Sequence, residues 1–539
     1  MTVVSGEIKP PRRTRDEISP GNINRLQAED RAAHDWYLYA ALAMVLASVA
    51  YWTAFAFNAY GTFHEYSDLG SLALSMYYDI HYPGIVHGLQ YMLFMQHISP
   101  DMLLLLPFFY ADSSALTLLV IQAVVVSFAG LAAFAVARRL IKSQKAALLL
   151  CAAFLLNPGL HGLTMFDAHV EMLLPLAYIL VFYFYVRAMR AWFFAASVFL
   201  LGVMEEAPFL GASLGLALLV YELLNRSNAA SRRTRIGMAL GLIVLSVAAF
   251  AFYSIAAVSL TSQYASGAYP LLPPGLAHYQ SLAFVLSGLH SFGSQSSVST
   301  LSLMGSGLGP YAYYAIIVLL LSMGILLIFA PIESAILLSP WLVETFIAGN
   351  YQFVFMFNYY FAFAIGGMAV AAIIGAKNIM ERKGMLARAL DRHTAGHAPS
   401  VVAVASIAVV AMVLLLSPAF IYSKNINSFS QDFLFQANAS QQRLYSQLYS
   451  VMALVPANAS LMAQYYMMPH LFARRYIETT CASNYYFKPQ YVLLDYNLNI
   501  SLNVFRECGT TLSGIYLNSA SDYLVVAQNG TALLLERAR

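Results

Sequence analysis

Charge is scarce in this chain: Asp, Glu, Lys and Arg make up 10% of its 539 residues, against roughly 25% in an ordinary soluble domain. That shortage excludes a typical soluble enzyme. It excludes disorder too, because a disordered chain combines high charge with low hydrophobicity. Cysteine is nearly absent as well. Of the three present, Cys151 lies in an apolar run and reads as a small packed hydrophobe. Cys481 and Cys508 lie in a more polar tail, where they are either a disulfide or two buried thiols. The tail has no phosphate-binding glycine loop and no zinc-type Cys/His spacing, and a nucleic-acid partner is not expected.

Apolar residues are abundant instead. The chain is 60% hydrophobic and 14% aromatic, with mean hydropathy +0.65, which reads as a mainly α, polytopic integral membrane protein. The net charge of +3 says little as a total, but its placement says more. Basic residues cluster in 1–35, in Arg138–Lys145, at Arg187 and Arg190, at Arg226–Arg235 and in Lys377–Arg392. Cytoplasmic loops collect Lys and Arg, so all these clusters are expected on one side. Spans follow near 36–57, 114–137, 146–164, 172–186, 236–260, 312–330, 334–348, 354–376 and 401–422. The run 191–224 has basic flanks and must cross twice, turning at Glu205-Glu206-Ala207-Pro208. The expectation is about eleven spans in the plasma membrane, with the N-terminus inside and the C-terminus outside. The first run starts late and is long, as in a signal anchor.

Three regions result: a cytoplasmic tail 1–35, a membrane domain 36–422 and an outer α/β domain 423–539. Large outer loops are expected at 58–113 and 261–311. Sequons at Asn438, Asn458, Asn499 and Asn529 all fall in the outer tail, and a fifth, Asn225, falls in a basic loop. In the tail, 440–454 alternates like an amphipathic helix, and 460–464 and 490–495 look like strands. Asn529-Gly530 sits between two more strands as a hairpin turn.

The outer loops between spans hold acids and histidines but no base. His97 and Asp68 lie in the first loop, Asp167, His169 and Glu171 in the second, and Glu205 in the third. Acids converging on one face suit a general base, a divalent cation such as Mg or Mn, or both. Asp68 is either such a base or the N-cap of the segment 69–78. In an extended loop Asp167, His169 and Glu171 would point one way, whereas on a helix only Asp167 and Glu171 share a face. Asp68, Asp167 and His169 are the candidate metal ligands. His97 reads either as a substrate contact or as an interfacial polar residue, and Glu205 either as a substrate contact or as a helix cap. A phosphate would need a cation, and His470, Arg474 and Arg475 in the tail are the candidates, the alternative being an exposed basic turn.

The order of motifs resembles a known family. Ser67-Asp68-Leu69-Gly70, His97-x-x-Pro100, Pro107-Phe108-Phe109-Tyr110, Asn157-Pro158, Phe166-Asp167-Ala168-His169-x-Glu171 and Glu205-x-x-Pro208 are similar to the predicted-membrane-protein family of unknown function numbered 2079. So are Val455-Pro456-Ala457, Pro469-His470-Leu471, Ala473-Arg474-Arg475 and the segment Tyr491–Asp495 in the tail. The likeness runs from about 60 to 535. Departures are Asn358-Tyr359-Tyr360, where the family has a His-Tyr-type pair, and Glu205-Glu206, where it favours Lys-Glu. That family resembles the GT-C group of membrane glycosyltransferases, which use polyprenyl-phosphate sugars. In that group an acid early in the first outer loop is base or metal ligand, a role that falls by position on Asp68. The resemblance implies a transferase taking a sugar from a polyprenyl (dolichyl) phosphate to an acceptor glycan, lipid or protein, with 261–311 as a lid. Two alternatives stand beside it: a transporter of lipid-linked sugar, and a cell-envelope anchor.

Overall fold

The computed structural model describes residues 20–63, 67–82, 98–141, 143–225, 229–265, 323–343, 359–394, 408, 411, 439–479, 489–495 and 523–538. His97, the expected lid beyond 265, Asn358, nearly all of the expected span 401–422, and both tail cysteines lie outside the described residues. The described chain is dominated by helices: α1 (Pro20–Gly61), α2 (Ser67–His81), α3 (Leu106–Ala111), α4 (Ala115–Ile141), α5 (Gln144–Leu155), α6 (Pro158–Met165), α7 (Leu174–Val186), α8 (Arg190–Leu201), α9 (Ala207–Leu224) and α10 (Ala229–Ala265). Then come α11 (Gly324–Leu327), α12 (Pro331–Leu342), α13 (Ala362–Met380), α14 (Met385–Thr394), α15 (Ala439–Met452) and α16 (Met468–Leu471).

Five described helices are long and apolar enough to cross a bilayer: Trp36–Gly61, Ala115–Ile141, Ala207–Leu224, Arg232–Ala256 and Ala362–Met380. A sixth candidate is the pair α5 and α6, bent by 43° at its break. The break has a sequence cause. Pro158 has no N–H to continue the ladder, and Asn157 instead accepts the Gly159 N–H at 2.9 Å, starting a new helix. The His161 ring lies 3.1 Å from the Leu155 carbonyl freed by the break. The expected span 172–186 appears as the shorter apolar segment Val170–Val186, and the first half of 191–224 as Arg190–Leu201. Helix α13 packs closely on its neighbours through Gly375, where a Cβ would strike the Leu326 carbonyl, and Gly367, where it would lie 2.8 Å from that of Leu337.

Hydrogen bonds tie three of the basic segments together at one end of the bundle. Arg190 donates to Thr234, Arg235 to the Val186 carbonyl, Arg232 to the Glu222 carbonyl and Lys383 to Asn225. The buried Glu222 pairs with Arg235 at 3.4 Å. The acidic loops precede α7 and α9, whose last turns reach this basic end, so acids and bases occupy opposite ends of the same helices.

The tail forms a five-stranded sheet in the order β2-β1-β3-β5-β4, from β1 (Leu461–Ala463), β2 (Ile477–Thr479), β3 (Tyr491–Asp495), β4 (Tyr523–Asn529) and β5 (Ala532–Arg537). β1 runs parallel to β2 and β3, while β5 is antiparallel to β3 and β4. The hairpin turn lies one residue later than expected. Asn529 pairs with Ala532, so the two turn residues are Gly530 and Thr531. Gly530, at φ +60°, takes the left-handed conformation the turn demands. The register shift at Val525/Ala527 absorbs the extra residue.

The sheet domain is seated on the first loop. Tyr60 donates to the Pro469 carbonyl at 3.2 Å and Tyr78 to that of Arg475 at 2.6 Å. Gly70 makes this approach possible, since a Cβ there would lie 2.8 Å from the Met468 Cβ and 2.9 Å from its carbonyl carbon. Gly70→Val should therefore destabilise the docked domain by about 1–3 kcal/mol through overpacking. Thermal unfolding together with faster proteolysis of the tail would register this; unchanged values for both would refute the close contact.

Candidate functional site

Two segments meet at the acidic end: the first turn of α2, and the loop joining α6 to α7. The Asp167 carboxylate, 1% exposed, accepts the Leu69 backbone N–H at 2.8 Å. First-turn N–H groups have no partner inside their own helix, and a residue 98 positions away supplies one here. The helix begins at Ser67, so Asp68 sits in the first turn and not at the cap. A carboxylate is favoured there by the positive end of the helix dipole.

Asp68 faces His169, with Oδ2 3.5 Å from Nε2. The other ring nitrogen, Nδ1, lies 3.8 Å from Glu171 Oε2. Exposure grades along this line: the side chains of Asp68, His169 and Glu171 are 32%, 4% and 0% exposed. Burial alone would lower the His169 pKa. Contact with the Asp68 carboxylate and the charges of Glu171, Asp68 and Asp167 outweigh it and hold the ring above its usual value. The backbone explains the arrangement. Phe166 and His169 are extended, at ψ 171° and 157°, and a 3₁₀ turn over Val170–Leu173 folds Glu171 back beneath the ring.

Gln122, from α4, donates to the carbonyls of Leu163 and Phe166 at 2.8 and 3.2 Å and pins the start of this loop. No motif in the sequence singles it out. Its only signal was a lone amide inside an apolar span, which is expensive to bury unless hydrogen-bonded.

The other candidates are placed differently. Glu205, 2% exposed, accepts the Ile98 N–H at 2.9 Å, while Ser99 donates to the Val203 carbonyl. It fastens the first loop to the α8–α9 turn and presents no open carboxylate. Nearby Asp101 is pushed up to about 7 by burial. His470 is packed against Tyr60, Phe63 and Tyr449, with the Tyr60 ring 4.0 Å away. Burial pushes its pKa down to about 3, so it is neutral and serves the seam between loop and tail. Arg474 is 6% exposed and donates to the carbonyls of Leu471 and Pro456 at 2.7 and 3.3 Å. Burial lowers its pKa, with Tyr77 opposing. Arg475 is exposed and stacks over Tyr476 at 5.1 Å. Arg474→Ala should leave two carbonyls without their donor and cost about 1–3 kcal/mol, readable as a lower unfolding midpoint of the tail; an unchanged midpoint would show that those bonds are dispensable.

Among the described residues, no group of three His, Cys, Asp and Glu has the geometry to hold a metal ion. Of the three candidate ligands, Asp68 and His169 face one another, and Asp167 Oδ2 is engaged by the Leu69 N–H.

Apolar spans, bases gathered at one end and a carboxylate–imidazole–carboxylate line at the other define a polytopic helical membrane protein with a buried polar site. The chain belongs to the family described as Predicted membrane protein (DUF2079), whose model matches residues 45–512. No curated protein matches it. Among solved structures it is similar to ArnT from Cupriavidus metallidurans bound to undecaprenyl phosphate, with 14% identity, 92% of this chain and 97% of that chain covered, and a TM-score of 0.45.

Proposed function

We propose that the protein is a membrane glycosyltransferase that moves a sugar from a polyprenyl-phosphate donor to an acceptor hydroxyl at the outer membrane face, with Asp68 as general base. The observation carrying this reading is the Asp68–His169–Glu171 line, in which the only partly exposed member is a carboxylate held from behind by a buried imidazole. The family whose motif order the chain shares resembles the GT-C group, and the position of Asp68 early in the first outer loop supports the same role.

In the reaction, the acceptor oxygen attacks the anomeric carbon and its proton passes to the Asp68 carboxylate. The bond from that carbon to the phosphate oxygen breaks, and the phosphate leaves with the electron pair. Positioned proton transfer of this kind contributes about 10²–10⁴-fold. His169 and Glu171 touch no substrate in this scheme: they fix the Asp68 rotamer and set the charge around it. The basic end of the bundle then lies in the cytoplasm, following the rule for Lys and Arg, and the sheet domain lies outside.

A second reading has one observation in its favour. The break between α5 and α6 falls inside a candidate span, and interrupted helices are a feature of transporters. Proteoliposomes loaded with radiolabelled polyprenyl-phosphate sugar and an outer acceptor separate the two. Label leaving the lipid for the acceptor supports transfer; label crossing the bilayer while still attached to the lipid overturns it in favour of translocation.

A further inference from the structure

At the basic end, α13 stops at Met380 and the chain turns sharply through Glu381–Gly384. Arg382 at φ +54° and Gly384 at φ +85° make the corner. Lys383 fixes it, bonding Glu381 at 2.6 Å and Asn225 at 2.7 Å, while Lys377 pairs with Glu381 at 3.1 Å. This holds α14 immediately beside the last turn of a candidate membrane span.

The two long faces of α14 differ. Ala387, 1% exposed, faces the bundle, with Leu390 half-buried against the core. Met385, Arg388, Ala389 and Arg392 follow the i, i+3, i+4, i+7 spacing of a single face. On that face Met385 is 77% exposed and both arginines are exposed, and Leu386 beside it is 49% exposed. The arginine Nε groups donate back to the Gly384 and Arg388 carbonyls, laying both side chains along the helix. Exposed apolar side chains interleaved with arginines on one helix face are what a helix lying in a headgroup layer presents. A wholly aqueous loop gains nothing from an exposed Met and Leu.

We infer that the Met385–Arg392 face of α14 is a docking surface for anionic lipid headgroups, with Met385 and Leu386 set into the acyl boundary and Arg388 and Arg392 on lipid phosphates. The occupant is the bilayer itself. The attachment of α14 to the end of α13 and charge complementarity both point to this occupant, independently of the transferase reading. Basic residues near an anionic surface each add about five-fold in affinity, so the pair carries about twenty-five-fold.

The test uses the full chain in nanodiscs, either pure phosphatidylcholine or phosphatidylcholine mixed with phosphatidylglycerol. Amide exchange over 385–394 should be slower in the mixed discs, and raised salt should erase the difference, since exposed charges are screened beyond about 10 Å at 0.1 M. Arg388→Gln with Arg392→Gln should abolish the difference and cut co-purified phosphatidylglycerol by about twenty-five-fold, while the paired Lys substitutions should retain both. Equal exchange in the two disc types would overturn the proposal, as would a difference that survives the Gln pair. So would equal protection from inorganic phosphate in pure phosphatidylcholine discs, which would indicate a soluble anion.

Discussion

Replacing Asp68 with Asn is expected to lower sugar transfer by about 10²–10⁴-fold, the range associated with a positioned general base, while leaving the protein folded. Asn is isosteric but does not accept the acceptor's proton at neutral pH. The substitution falls on the one member of the line that is not fully enclosed, with a side chain 32% exposed, so no carboxylate is stranded in the core by the change. Packing around the first turn of α2 rests on neighbours that Asn leaves alone: Leu69 is buried and its N–H remains on Asp167. The loss should therefore appear in kcat of a protein that remains folded, with KM for the donor little altered and a smaller drop in thermal midpoint from the lost contact with His169. A variant with full transfer would remove Asp68 from the chemistry. One that loses activity only by unfolding would reduce it to a structural residue. Asp68→Glu is the informative companion, since it keeps a base but moves it by a methylene.

How far the sequence reached can be judged residue by residue. Hydropathy located Trp36–Gly61, Ala115–Ile141 and Arg232–Ala256 because each is a continuous apolar run between polar flanks. It reads 146–164 as one span, and the two helices there pass as a span together, but with a bend of 43° that hydropathy does not show: Asn157-Pro158 is a local stop-and-start signal hidden inside an apolar stretch. In the tail, the Asn529-Gly530 dipeptide between two strand-like segments marks the hairpin, and the turn falls one residue later because cross-strand pairing, not the dipeptide, sets the register.

The site was legible as a set of residue types, but the roles of its members depend on long-range contacts. Spacing alone did not reveal that Asp167 caps a helix 98 residues away, or that Glu205 holds the Ile98 N–H. Nor did a cationic motif at 474–475 reveal that Arg474 would be buried against carbonyls. In each case the side chain's polarity marked it as important, and only packing shows whether that polarity faces a ligand or the protein's own backbone.

The largest stability effect is expected at His169. Its ring lies between Asp68 and the fully buried Glu171, and a buried charge that loses its partner costs about 3–5 kcal/mol. His169→Ala should show a loss of that order, because Glu171 would then stand in the core without the imidazole beside it. If the loss comes from a stranded carboxylate, adding Glu171→Ala should recover part of it, so the double variant would be less destabilised than the sum of the single ones. Strict additivity in that cycle would mean the two side chains do not interact.

The pH dependence carries an independent sign. The folded-state pKa of His169 is raised above 6.5, so the fold binds the proton more tightly than the unfolded chain does. The resulting stabilisation is complete below about pH 6.5, the unfolded value, and fades as pH rises through the raised folded-state value. Wild type should lose midpoint temperature across that window, and His169→Gln should run flatter through it. A wild-type midpoint that instead rises across the same window would mean the ring is held neutral, and the proposed charge balance around Asp68 would have to be abandoned.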